Sequence, residues 1–96
     1  MTNKYKKYTD EAKVYDVAKR TPLDYQALLS TRLNNQIYLK REELQSVFSF
    51  KIRGAYNKLT HLDKKIRDKG IIAASAGNHA QGVAMAAKTL GCKATI

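Results

Sequence analysis

Two short segments carry residue types that could do chemistry. The first is Ser49-Phe50-Lys51-Ile52-Arg53-Gly54-Ala55. It places a lysine in the first turn of a predicted helix, directly after an aromatic residue. The positive end of the helix dipole disfavours an ammonium there, and burial would push the same way. A lysine amine kept partly neutral can form a Schiff base with a carbonyl, and Phe50 can pack beside a flat ring. A lysine at a helix start also commonly does nothing more than reach out to water. The second segment is Ser75-Ala76-Gly77-Asn78-His79-Ala80-Gln81-Gly82. Its small residues let the backbone approach a ligand closely, and free N–H groups at a helix start can hold an anion. Asn78 adds a donor and an acceptor. The same residues would serve equally as a plain helix cap through Ser75 or Asn78.

The elements that must position these segments can be read from spacing. Ser49 is a candidate cap for a helix whose apolar face runs through Ile52, Ala55, Tyr56, Leu59, Leu62 and Ile66, closed by Gly70. Ile71-Ile72-Ala73-Ala74 predicts a buried strand. A helix follows with Ala80, Val83, Ala84, Ala87 and Leu90 inward and Gly91 at its end, then a second strand in Lys93–Ile96. Strand, helix, strand is a βαβ unit, and it calls for a parallel sheet. The Ser75–Asn78 turn then lies at the C-terminal edge of a strand, where open α/β sheets bind ligands.

Upstream, Thr9 or Asp10 is the expected cap of a first helix with Tyr8, Ala12, Tyr15 and Ala18 on one stripe, ended by Pro22. Leu23–Leu33 fits strand or helix. Asn34-Asn35 reads as a turn, Gln36–Lys40 as a short strand and Glu42–Ser49 as a polar loop. Arg53, Tyr56 and Lys58 read as packing or solvent contacts, His61 as exposed, and Cys92 as a small buried side chain with no base near it in sequence.

Composition narrows the function classes. The chain has 96 residues, 44% of them hydrophobic, which suits a globular domain or part of one. Its apolar runs are far shorter than the roughly 20 residues that span a bilayer, and no apolar stretch follows the basic N-terminus as in a secretory signal. One cysteine and two histidines make neither a disulfide framework nor a metal site, and the lone cysteine fits a reducing cytoplasm. The net charge of +10 raises a nucleic-acid partner. The cations are scattered, however, and the one cluster, Lys64–Lys69, is interrupted by Asp68 and preceded by Asp63. No nucleic-acid or membrane partner is therefore expected.

Taken together, the two segments, 27 residues apart from Lys51 to Asn78, resemble the threonine dehydratase branch of the fold-type II pyridoxal-phosphate (PLP) enzymes. Thr21-Pro22-Leu23 and Lys40-Arg41-Glu42 are weaker signals of the same kind. Glu43 stands where the family commonly has aspartate. The resemblance implies an α/β fold with a three-layer parallel sheet. It also implies that residues 1–40 form an N-terminal helix and hairpin region, and that residues 41–96 form the lysine helix and the start of the small α/β domain. Lys51 would be the Schiff-base lysine and the base at the substrate Cα. Phe50 would pack on the cofactor, and Asn78 would bond its ring hydroxyl. Ser75, Ala76, Gly77, Asn78 and His79 would take the substrate carboxylate. The implied reaction is deamination of L-threonine, with L-serine as a related substrate and serine dehydratase or serine racemase as related activities. It would proceed in a homo-oligomeric parent enzyme that feeds isoleucine synthesis. A basic nucleic-acid module and a non-catalytic remnant are the readings from other classes. The family's glycine-rich phosphate loop has no counterpart in the sequence. The chain is accordingly expected to be a fragment, and alone neither to hold PLP tightly nor to turn over threonine.

Overall fold

The computed structural model describes residues 3–96. Its centre is a pair of helices. Helix α3 (Lys51–Thr60) buries Ile52, Ala55, Tyr56 and Leu59, and helix α5 (Asn78–Leu90) buries Gly82, Val83, Ala86 and Ala87 against them. Both faces follow the three-and-four spacing of an amphipathic helix. The small residues of α5 let the two backbones come close, and Ala18 and Val47 complete the buried cluster. Gly91 ends α5 in the left-handed conformation, at φ 67°, where a Cβ would be strained.

The expected βαβ unit is present. Strand β3 (Ile71–Ile72) pairs in parallel with β4 (Ala94–Thr95), and α5 crosses between them. The strand differs from expectation in two ways. It is two residues long, and Ile72 is 84% exposed because no element covers the second face of this narrow sheet. In α5 the inward face is rotated from the expected one. Ala84 points to solvent, while Gly82 and Ala86 are buried because they meet α3.

The lysine helix is shorter than its apolar pattern suggested. It stops at Thr60, and a separate short turn, α4 (Lys64–Arg67), follows. Asp63 is extended between them at ψ 143°, and its carbonyl accepts from Ile66 and Arg67. Ile66 is consequently exposed, and Leu62 is half-buried.

The N-terminal region departs furthest. Helix α1 spans Lys4–Asp10 and is capped by Asn3, whose Oδ1 accepts from the Tyr5 and Lys6 N–H groups, not by Thr9 or Asp10. The Tyr8, Ala12, Tyr15, Ala18 stripe does not form one helix face. Only a 3₁₀ turn at Val14–Asp16 remains there. The backbone of this stretch bonds across the fold instead. Lys13 N–H donates to Asn57 Oδ1 at 2.9 Å, and Lys19 N–H donates to Gln45 Oε1 at 2.8 Å. Leu23–Leu33 divides into strand β1 (Leu23–Tyr25) and helix α2 (Ala27–Leu33), closed by Asn34 at φ 47°. Strand β2 (Tyr38–Lys40) then pairs antiparallel with β1.

The overall shape is open. The radius of gyration is 16.6 Å, against about 12.5 Å for a compact chain of this length. Leu28, Phe48, Ile72 and Leu23 stand largely in solvent.

Candidate cofactor-lysine site

The site is assembled from the first turns of α3 and α5. A glycine brings them together. A Cβ built on Gly82 would lie 3.0 Å from both the carbonyl carbon and the oxygen of Lys51, and 3.2 Å from Ile52 N. The Lys51 peptide therefore rests directly on α5. Gly82 is one turn after Asn78, so the two share a face of that helix. The structure thus seats the lysine and the asparagine-bearing turn at the same junction.

Lys51 is half-buried. Its Nζ lies 5.1 Å from the centroid of the Phe50 ring and makes no hydrogen bond or ion pair among the described residues. The amine is left available, with an aromatic face beside it. Phe50 is 58% exposed, so its ring is open to a partner on the side away from the core. Ser49 is not the residue that begins the helix geometrically; Phe50 is. The Ser49 hydroxyl nonetheless accepts from Lys51 N–H at 3.4 Å.

At the second segment Gly77 is the residue that begins the helix, and Ser75, two residues earlier, supplies the oxygen. Its Oγ accepts from Gly77 N–H at 3.3 Å and from Ala80 N–H at 3.2 Å, which folds the turn over the start of α5. The N–H groups of Ala76, Asn78 and His79 have no acceptor among the described residues. Three donors thus remain at the positive end of a 13-residue helix, as an anion site requires. The side chains of Asn78 and His79 are exposed. His79 also lines an apolar cleft of about 360 Å³, with Ala55, Leu59, Leu62, Ile71 and Val83. Lys51, Phe50 and Asn78 do not line that cleft.

These residues fit a flat, anionic aldehyde cofactor by their chemistry. A free primary amine, an adjacent aromatic ring, unpaired backbone donors and a free carboxamide are the groups such a molecule would use.

A second cluster, not anticipated from the sequence, lies behind the lysine helix. Arg53 forms a two-pronged ion pair with Glu42, Nε to Oε2 and Nη2 to Oε1, each at 2.8 Å. Thr21 Oγ1 donates to Glu42 Oε1 at 2.6 Å, and Gln45 Nε2 donates to Oε2 at 3.2 Å. The Arg53 pair, first of all, holds the Glu42 carboxyl down at about 2, with the Thr21 and Gln45 bonds adding to it against the opposing effect of burial. Its ordinary value is 4.5. A depressed carboxyl favours the folded state above its unfolded value, and that contribution is lost as pH falls through the folded one. Stability is expected to drop progressively from about pH 4.5 to pH 2. Glu42→Gln, less stable at neutral pH, should show a visibly smaller drop. Circular-dichroism melts across that range check this, and parallel pH curves for the two proteins would refute it.

Comparison with known proteins bears on the same region. A family model described as "Pyridoxal-phosphate dependent enzyme" matches residues 14–96. The biosynthetic, chloroplastic threonine dehydratase 1 of Solanum lycopersicum is 60% identical over 85 residues, covering 88% of this chain and 14% of that protein. The L-threonine dehydratase biosynthetic IlvA of Burkholderia multivorans is 58% identical over 85 residues, covering 88% of this chain and 17% of that one. Among solved structures, the processed form of threonine deaminase isoform 2 from Solanum lycopersicum superposes with a TM-score of 0.88 at 48% identity, over 98% of this chain and 27% of that one. Maize serine racemase superposes with a TM-score of 0.83 at 32% identity, over 93% and 27%. The chain spans 14% and 17% of the length of the two dehydratases and 27% of each of the two solved chains. No helix among the described residues is long and apolar enough to cross a membrane. Its α/β fold is the one these solved structures share, and the matched stretch holds both the lysine helix and the asparagine-bearing turn; this chain belongs to the family of pyridoxal-phosphate dependent enzymes.

Proposed function

We propose that these residues form the cofactor-lysine segment of a threonine ammonia-lyase, which converts L-threonine to 2-oxobutanoate and ammonia. The observation that carries the reading is the junction itself: an unpartnered Lys51 amine whose peptide lies against the Asn78 face of α5. Among the solved structures, the threonine deaminases share 48% and 46% of aligned residues with this chain, whereas the serine racemases share 32% and 30%. That gap favours L-threonine, with L-serine as a secondary substrate. The names of several relatives are biosynthetic, which favours a role in isoleucine formation.

When bound, the cofactor supplies the electron-accepting ring that makes the substrate Cα proton removable. The residues of this chain would serve the reacting end of that cofactor. Lys51 would hold the cofactor through Nζ, and the same atom, when free, would take the substrate Cα proton. The substrate β-hydroxyl would then leave, with a proton, as water, and hydrolysis of the resulting enamine by a second water would give 2-oxobutanoate and ammonia. Phe50 would pack on the ring, and Asn78 would bond its hydroxyl. The turn Ser75, Ala76, Gly77, Asn78 and His79 holds the substrate carboxylate, chiefly through the free N–H groups of Ala76, Asn78 and His79. In this reading residues 1–40 are a helix-and-hairpin lead-in, and residues 41–96 begin the small α/β domain. The open apolar surfaces of the chain suit a segment that packs within a larger, homo-oligomeric enzyme body. A cytoplasmic location agrees with the single cysteine.

Borohydride reduction of the holoenzyme carrying this sequence, followed by peptide mass mapping, tests the assignment. The pyridoxyl mass is expected on Lys51. Finding it on another lysine would remove the reading.

A further inference from the structure

The cluster behind the lysine helix has a geometry beyond what fold stability needs. Three separated backbone segments meet on one carboxylate. Glu42 receives four hydrogen bonds, two on each oxygen: Thr21 and Arg53 on Oε1, Gln45 and Arg53 on Oε2. Gln45, 1% exposed, also bonds both backbone groups of Lys19: its Oε1 accepts from the N–H at 2.8 Å, and its Nε2 donates to the carbonyl at 2.9 Å. No buried side-chain polar atom among the described residues lacks a partner. The cluster is thus closed, and a closed polar network specifies one arrangement.

Its place on the lysine helix matters. Arg53 lies two residues after Lys51, about 200° around the helix axis. The Glu42 fork therefore grips the first turn of α3 from the side away from the Lys51 side chain, while Gly82 of α5 touches the Lys51 peptide directly. The Arg53 guanidinium also lies 5.3 Å from the centroid of the Tyr15 ring, which Arg20 covers at 3.8 Å. That ring limits the swing of the arginine. The connection from Glu42 to Lys51 carries its own restraint. Val47 and Ser49 alternate inward, and Phe48 sits at φ 58°, a conformation that costs a bulky side chain on the order of 1 kcal/mol or more and persists only where its surroundings fix it.

From this geometry we infer that Glu42, through its fork with Arg53, is a positioning residue that sets the rotation of the lysine helix and so the placement of the Lys51 amine relative to the Asn78 turn. The inference rests on Lys51 being the cofactor lysine. Thr21 and Gln45 hold Glu42 in turn, so the weak upstream signals at Thr21-Pro22-Leu23 and Lys40-Arg41-Glu42 acquire a physical role.

The test compares Glu42→Gln, Arg53→Lys and Lys51→Ala in the holoenzyme. Glutamine keeps the shape of Glu42 and removes its charge. Lysine keeps the charge of Arg53 and removes the fork. Misplacing a reacting group by about an ångström costs up to roughly 100-fold in rate, so kcat is expected to fall about 10- to 100-fold in both positioning variants, with KM within about threefold of wild type. The absorbance of the lysine-bound cofactor, titrated without substrate, should shift its pH midpoint in both, because the amine has new surroundings. A purely structural role would lower melting temperature and leave that midpoint in place. Folded variants with wild-type kcat and titration overturn the inference, as does loss of the folded state in both, which would assign the cluster to stability alone. If Lys51→Ala keeps the cofactor band and turnover, the underlying lysine assignment fails instead.

Discussion

Replacing Lys51 with alanine is expected to lower threonine turnover by at least about 1000-fold, the combined loss of covalent attachment and of a positioned base, and to leave the protein folded. The two halves of this expectation come from the same observation. Lys51 Nζ makes no hydrogen bond or ion pair among the described residues, and its one notable neighbour is the Phe50 ring at 5.1 Å. A contact of that kind at a partly exposed site is worth about 0.5–1 kcal/mol. Removing the side chain therefore costs little stability, while everything that depends on the amine is lost. The absorbance band of the lysine-bound cofactor should vanish, and melting temperature in the absence of cofactor should stay close to wild type. Lys51→Arg restores the positive charge but not the nucleophile, and is expected to be equally inactive. Turnover within tenfold of wild type in Lys51→Ala would mean that another group carries the chemistry.

The local elements that carry the candidate site were more legible in the sequence than the fold around them. The Lys51 and Asn78 segments are local: each is a helix start, and the residues that define it lie within eight positions of one another. Short-range spacing therefore carries the information, and α5, the parallel β3–β4 pair and the left-handed Gly91 all follow from it. Where the expectation failed, a contact distant in sequence decided the outcome. Tyr8, Ala12, Tyr15 and Ala18 have helical spacing, yet Lys13 and Lys19 give their N–H groups to Asn57 and Gln45, 44 and 26 residues away. Those bonds replace the intrahelical ones, and Tyr15 is used by Arg20 and Arg53 instead of by a helix face. The apolar period of α3 likewise continues through Leu62 and Ile66, but the neighbour it packs on, α5, engages only as far as Leu59 among the buried residues. The Glu42 cluster shows the limit most clearly. Its donors come from positions 21, 45 and 53, a set with no periodicity and no shared motif. The polar character of Glu42–Ser49 suggested a loop, and nothing local indicates that Gln45, Val47 and Ser49 in that loop are buried.

Two glycines in the paired helices should respond to the same substitution with opposite signs. Gly54 of α3 has nothing within 4 Å of a built Cβ, so Gly54→Ala should raise stability by about 0.5–1 kcal/mol through the better helix propensity of alanine. Gly82→Ala carries the same propensity gain against a collision. Its methyl would sit 3.0 Å from the Lys51 carbonyl carbon and oxygen and 3.2 Å from Ile52 N. All three are backbone atoms in the first turn of a helix, so none can rotate away as a side chain would. The helices must move apart by a few tenths of an ångström, which disturbs the contacts of Ile52, Val83 and Ala86 in the cluster between them. Overpacking of that kind costs about 1–3 kcal/mol, more than propensity returns, and the displacement falls on the Lys51 peptide itself. Gly82→Ala is therefore expected to melt below wild type and also to lose about tenfold or more in kcat, whereas Gly54→Ala melts above wild type. Thermal melts of both variants, with kcat measured well below the transition, separate the two effects. A Gly82→Ala protein that melts as high as Gly54→Ala, with wild-type turnover, would show that the α3–α5 contact is looser than 3.0 Å and that α5 does not fix the height of the lysine.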